Sequence, residues 1–344
     1  MTINIAKKVV DTATWAASSD QQIDLPNEGA ITRIDLQTYF TVTACLAADT
    51  NTEYCQWKPI QNLKIQGGGG KSYFDMSYEQ MGRMLHFLNM RDFPGTIFNL
   101  GMATNTIYAN YCLHFGSRPR DMFGRDNPFD LTSFIPAQDE TNLKLTWTTT
   151  QAADVADTTI DITAGTMKAT VYEVLGLPSM SGMVPVSSTQ GFGTGGTAVS
   201  GLSKQFDVPT GSFLRRIALL TQDATAISSG GPLLANDIVD EVGLLFPKES
   251  RRLIEIDYDT LLLSGGIPDI AVMTAAGAVT KPQGLVVDGF TVIDLRPYAN
   301  SDYGLDLRNY QTGDVKLAFT IPTGTDGDDI IIWYDTVQPY AGRR

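Results

Sequence analysis

Histidine is nearly missing from this chain, with two among 344 residues. His86 and His114 stand far apart, and Cys112-Leu-His114 is the nearest approach to a metal-ligand spacing, without the further His or Cys that a zinc centre needs. Three cysteines, Cys45, Cys55 and Cys112, are too few for a disulfide framework. A Cys45 to Cys55 bridge across a hairpin has nothing beyond proximity to recommend it, so reduced, buried thiols are expected. Clusters of Lys or Arg longer than a few residues are also lacking, and the formal net charge of -13 with a pI near 4.5 argues against a cationic nucleic-acid groove. No apolar run reaches about 18 residues, and no charged, apolar and small-residue succession marks a leader. The expectation is a chain neither secreted nor membrane-spanning.

Catalytic patterns are equally sparse. Gly-x-Ser-x-Gly does not occur, and Ser179-Met-Ser-Gly182 lacks the strand-to-helix setting of a nucleophile elbow. Gly67 to Gly70 is followed by Lys71-Ser72, but the next residues, Tyr73-Phe-Asp-Met, are strand-like where a phosphate loop needs a helix; a mobile loop is the expectation. Glu255, Asp257 and Asp259 alternate along one stretch, which places successive carboxylates about 6 to 7 Å apart on a strand face. Paired acids at such distances serve glycoside hydrolysis, yet Asp257 or Asp259 equally suits the N-cap of the Thr260-Leu-Leu-Leu element. Asp326, Asp328 and Asp329 lack the closing Glu of a calcium loop and read as an acidic hairpin tip. No catalytic, cofactor-binding or metal-ligating residue is nominated.

What the chain does hold is a repeat. Gln22-Ile-Asp-Leu-Pro26 followed by Gly29-Ala-Ile-Thr-Arg-Ile34 returns as Gln205-Phe-Asp-Val-Pro209 followed by Gly211-Ser-Phe-Leu-Arg-Arg-Ile217. Ser77-Tyr-Glu-Gln-Met matches Asp257-Tyr-Asp-Thr-Leu, and Leu143-Lys-Leu-Thr-Trp matches Val315-Lys-Leu-Ala-Phe. The offset narrows from 183 (22 to 205) through 180 (77 to 257) to 172 (143 to 315), the drift that loop insertions leave between two copies of one domain. The paired openings are read as the entry into the first strand of each copy, with Pro26 and Pro209 holding the chain extended before Gly29 and Gly211 turn it.

The remaining pattern is short strands between Gly, Pro, Asn and Asp turns, at 31 to 43, 61 to 66, 95 to 99, 106 to 115, 142 to 149, 158 to 162, 166 to 174, 213 to 220, 252 to 258, 286 to 295, 314 to 321 and 329 to 336. An Ala-Gly turn is expected between the strands at 158 to 162 and 166 to 174. The stretch 238 to 245 fits a short helix or a strand. One helix stands out: Ser77-Tyr-Glu-Gln80 is a capping box, and Met81, Met84, Leu85 and Leu88 form one apolar face behind it. The fold class is all-β, two tandem β-sandwiches. Residues 1 to 20 read as an N-terminal arm, 21 to 175 as the first sandwich, 176 to 204, rich in Gly, Ser, Thr and Pro, as a linker, 205 to 340 as the second sandwich and 341 to 344 as a tail.

On these landmarks the chain resembles the double jelly-roll major capsid proteins of the lineage that includes tectiviruses, corticoviruses, adenoviruses and turreted archaeal viruses. The resemblance covers residues 20 to 340 and rests on the paired openings at Ile23 and Phe206, the helix after Ser77 and the polar run Asp294 to Asn309 before Asp314-Val-Lys-Leu. It implies two eight-stranded jelly rolls, a homotrimer forming a pseudo-hexameric capsomer of an icosahedral double-stranded DNA virus, and no enzymatic activity. It further implies contacts with neighbouring capsomers, penton and minor capsid proteins, and with an internal viral membrane through residues 1 to 20, with no sequence-specific nucleic-acid binding. Location in the virion shell and assembly in the host cytoplasm belong to the same implication. Towers are then expected from Arg91 to Phe134, Ala224 to Glu249 and Ser264 to Gln283. The competing reading is a two-domain carbohydrate-binding protein or glycoside hydrolase, which requires Trp57, Tyr298, Tyr303 and Tyr310 to gather in one groove beside paired acids.

Overall fold

The structure is a computed structural model that describes residues 4–43, 60–77, 104–118, 127–149, 161–176, 181–193, 200–223, 233–234, 238–265, 289–323 and 328–341. The chain divides into two compact units, Met1–Ser188 together with Val337–Arg344, and Thr189–Thr336.

In chain order the first unit contributes β1 (Asn4–Thr14), β2 (Asp20–Asp24), β3 (Ala30–Thr43), β4 (Ile60–Gln66), β5 (Ser72–Met76), β6 (Thr104–His114), β7 (Ile135–Pro136), β8 (Lys144–Thr149) and β9 (Asp161–Leu175). One sheet runs β1-β9-β3-β6, with the two-residue β7 also on β3, and the other runs β2-β8-β4-β5. Without β7, the eight strands fall in the order first, eighth, third, sixth in one sheet and second, seventh, fourth, fifth in the other. That is the jelly-roll order, with antiparallel pairing between the strands.

The same order recurs with β10 (Ser181–Gly193), β11 (Ser200–Asp207), β12 (Phe213–Asp223), β13 (Leu233–Leu234), β14 (Glu241–Phe246), β15 (Arg251–Asp257), α1 (Tyr258–Gly265), β16 (Phe290–Asp294), α2 (Arg296–Ala299), β17 (Leu305–Asp306), β18 (Lys316–Thr323) and β19 (Asp328–Ala341). Here one sheet is β10-β19-β12, with β13, β16 and β17 along β12, and the other is β11-β18-β14-β15. The fold is all-β, two jelly rolls in tandem.

Several boundaries differ from the sequence-based expectation. Residues 4–14, expected in an arm, are β1, paired with β9 from Asn4↔Leu175 to Thr14↔Thr166. As the edge strand of its sheet it buries little, and Ile5 and Val9 stay 60% and 55% exposed, so its alternation is faint in the sequence. The stretch expected as a linker carries β10 and β11. Its Gly182 marks a close approach and not a flexible joint, because a Cβ there meets the Phe134 ring at 2.7 Å. The Ala-Gly turn expected at residues 164 and 165 is a continuous part of β9, where a Cβ on Gly165 meets the Phe40 ring at 2.5 Å and Trp15 at 2.8 Å.

The paired openings sit at the end of the second strand of each roll, β2 and β11, and not at the entry to the first. The stretch 238 to 245 contains β14. Because β6 and β14 are sheet strands, neither Arg91 to Phe134 nor Ala224 to Glu249 is a tower along its whole length. The helix expected after Ser77 and most of Ser264 to Gln283 lie outside the described residues.

Each roll has its own core. In the first, Ile34, Leu36, Phe40, Leu63, Ile65, Leu145, Trp147, Met167 and Val171 are buried. In the second, Leu214, Ile217, Leu219, Val242, Leu244, Phe246, Leu317, Phe319, Ile332 and Tyr334 form one cluster. The alternation of β3 is imperfect because both of its faces are buried, and the residues on the second face are polar: Arg33 is 2% and Asp35 5% exposed.

Candidate functional site

The chemistry-bearing side chains gather in polar networks within the sheets. In the first roll Arg33 and Asp35, two apart on β3, share a face. Arg33 Nε donates to Asp35 Oδ1 at 2.7 Å and Nη2 to Oδ2 at 2.9 Å, a bidentate pair. Tyr172 of β9 donates to Asp35 Oδ2 at 3.1 Å, and its ring lies 4.9 Å from the Arg33 guanidinium. Burial, ahead of the neighbouring charges, raises the Tyr172 phenol. Each charge is met by an opposite or polar group, as a buried ion requires.

Facing Arg33 across the ladder is His114 of β6. Its Nδ1 lies 3.2 Å from the Gly116 carbonyl and its Nε2 3.1 Å from the Asn127 carbonyl. Burial pushes the ring below its ordinary range despite those carbonyls and Asp130. Through a ring N–H it ties the end of β6 to the following loop. Cys112, two residues earlier, is buried.

The second roll holds its arginine across strands. Arg215 of β12 reaches Asp335 of β19, with Nε 3.2 Å and Nη2 2.6 Å from Oδ1, while Arg216 Nε donates to Oδ2 at 2.8 Å. Burial works against the Asp335 charge, but the two guanidiniums win and hold it below the usual carboxylate range. Arg296 is paired with Asp294 through Nε at 2.9 Å and Nη2 at 2.5 Å.

A third network closes one end of the first roll. The glycine run expected as a mobile loop contains a tight 3-10 turn, Gly68–Gly70, with Gly69 and Gly70 at φ of +71° and +80°. The Gly68 amide donates to Glu140 Oε2 at 2.8 Å, Lys71 Nζ lies 3.1 Å from Oε1, and the Tyr73 hydroxyl donates to the same oxygen. An internal carboxylate takes the amide that a phosphate loop offers to its ligand. Burial opposes the Glu140 charge, but these donors hold it below its ordinary range. Another buried carboxylate, Glu173 of β9, has neither oxygen at hydrogen-bond distance of a partner, with Lys8 Nζ 3.6 Å away. Burial raises it above its ordinary range, against the pull of Lys8.

The sequence-derived acidic candidates do not converge. Glu255 pairs with Arg252 on the exposed face of β15, Asp257 ends that strand, and Asp259 lies in the first turn of α1, so the three do not share one strand face. Asp329 accepts from Gln222 Nε2 at 3.2 Å, whereas Asp326 and the side chain of Asp328 lie outside the described residues. Cys45, Cys55, His86 and Trp57 also lie outside them. Tyr303 packs on Phe213 with ring centroids 6.0 Å apart and Tyr310 on Phe246 at 5.4 Å, while Tyr298 stands exposed. Among the described residues no three His, Cys, Asp or Glu side chains are placed to hold a metal ion, and no helix is long and apolar enough to cross a membrane. The networks around Arg33, Arg215 and Glu140 pair buried charges and bind strands and turns together. Sequence reasoning missed them, although arginine within the two apolar openings, at Arg33 and at Arg215-Arg216, was a visible signal.

No protein-family model matches the sequence, and no curated protein matches it. Solved structures do. The STIV MCP, from Sulfolobus Turreted Icosahedral Virus, is similar with a TM-score of 0.70 at 14% identity over 97% of this chain and 96% of that chain. The PBCV-1 virus capsid chain is similar at 0.60 and 11% identity, over 100% of this chain and 98% of that one. The major capsid protein P2 from Bacteriophage PM2 is similar at 0.54 and 14%, over 99% and 100%. At such identities the likeness is one of fold, and that fold is the double jelly roll.

Proposed function

We propose that this chain is a major capsid protein, a structural protein that forms the shell of an icosahedral double-stranded DNA virus as pseudo-hexameric homotrimers. The observation that carries the reading is the doubled jelly roll aligned nearly end to end with capsid chains from Sulfolobus Turreted Icosahedral Virus, PBCV-1 and Bacteriophage PM2. Fold alone does not fix function, but here the whole chain matches at full length, and the polar networks serve cohesion instead of chemistry. The partners are two further copies, neighbouring capsomers, and the penton and minor proteins that complete a shell; the location is the virion. The membrane-contacting segment expected at residues 1 to 20 would act as part of a sheet and not as a free arm, since residues 4–14 form β1.

Light scattering and sedimentation of the purified protein test the reading. The expected particle has three times the 37.4 kDa chain mass and shows hexagonal outlines in negative stain. A stable monomer at micromolar concentration overturns the trimer.

A further inference from the structure

The first unit is discontinuous in sequence: Val337–Arg344 belongs to it, although all of Thr189–Thr336 is synthesised in between. Val337 is fully buried. The Tyr340 hydroxyl donates to Asp139 Oδ2 at 2.9 Å, at the end of the 3-10 turn Ala137–Asp139 that precedes β8. Lys71, just after the glycine turn between β4 and β5, holds Glu140 at 3.1 Å and lies 5.8 Å from the centre of the Tyr340 ring. The ring thus meets both sides of the Glu140 network, the cation beside it and the carboxylate preceding it in sequence.

We propose that residues 337–341 are a latch that completes the first jelly roll, so that this roll reaches its final stability only after the second has been synthesised. Translation delivers β1 to β9 early, and they can pair among themselves. The hydrogen bond and the cation-π contact of Tyr340 arrive last. A shell subunit built this way does not present a finished first roll before its second roll has been made, and the device is independent of which shell it builds. The acceptor Asp139 and the cation Lys71 lie on turns, where local opening is cheapest and one late contact has most leverage.

Hydrogen exchange of the full-length chain reads the latch directly. Tyr340→Phe removes one hydrogen bond and keeps the ring; exchange in Lys71–Met76 and Ala137–Leu145 is expected to speed up about fivefold while Leu214–Leu220 stays unchanged. Tyr340→Ala, which also removes the ring, is expected to exceed tenfold in the same two segments. Unchanged exchange there, or equal acceleration in all three segments, overturns the proposal. A second measurement holds chains on the ribosome by a flexible extension that clears the exit tunnel. The first roll is expected to be protease-sensitive when the chain ends at residue 336 and protected when it ends at 344. Equal protection in both sinks the latch.

Discussion

In the first roll Ile23 lies opposite Leu145 and Asp24 opposite Lys144; in the second Phe206 lies opposite Leu317 and Asp207 opposite Lys316. The ladder even closes alike, with Leu25 N bonded to Leu143 O at 2.9 Å and Val208 N to Val315 O at 3.1 Å. Register is thus common to both copies, down to an acid facing a lysine. The buried charges are not. The first roll satisfies Arg33 from its own strand, two residues away, whereas the second satisfies Arg215 from β19, 120 residues away. A slip of one residue moves a whole strand's side chains to the other face, so register is held tightly, while a buried cation accepts any carboxylate that reaches it. Divergence between the copies ran along the tolerant route.

The comparison breaks first at its charges. Asp335→Ala leaves two arginines, one of them buried, without their shared carboxylate and is expected to cost about 3 to 5 kcal/mol in urea unfolding of the full chain. Asp35→Asn strands one arginine and keeps the shape, and is expected to cost about 2 kcal/mol by the same measurement. Equal losses would mean that the wiring difference has no energetic content.

Glycines at matching positions sharpen it further. A Cβ on Gly29 meets the Val174 carbonyl oxygen at 2.6 Å, whereas Gly211 has open space and a φ of +81°. Gly29→Ala is expected to cost about 2 kcal/mol through overpacking against backbone, and Gly211→Ala about 1 kcal/mol through left-handed strain alone. The order of the two melting temperatures is the check; the reverse order refutes the assignment of causes.

The smallest effect is in pH dependence. Asp335 and Asp294 in the second roll and Glu140 in the first all have lowered folded values, so their stability is present above the unfolded value and lost as pH falls through the folded one. Glu173 runs the other way. Its folded value is raised above 4.5, so its contribution is complete below that value and lost as pH rises through the folded one. Glu173→Gln is therefore expected to stabilise the chain near pH 8, with the gain shrinking toward about pH 4, in paired denaturation curves. A gain that grows on acidification contradicts the placement of that carboxylate.

The duplication, the all-β class and most strands were legible because they rest on local regularities: alternation in β8, β15 and β18, turn residues between them, and two copies of one opening. Where legibility failed, the cause was specific. Edge strands β1 and β10 have a neighbour on one side only, and with Lys, Ser, Thr and Gly among their residues they carry too little apolar alternation to announce themselves. Gly165 and Gly182 resembled turn and linker residues because close packing against an aromatic ring leaves the same letter in the sequence as flexibility does.

By itself the sequence determined how many sandwiches there are and that Asp24 and Asp207 occupy one position in them. Tertiary structure alone decided which carboxylate answers each buried arginine and that the residues from Val337 on belong to the first unit. Propensity and periodicity act between residues a few positions apart and are written in the chain, whereas the partners of Arg215 and Tyr340 are chosen by sheet order, which brings together residues 120 and 201 positions apart.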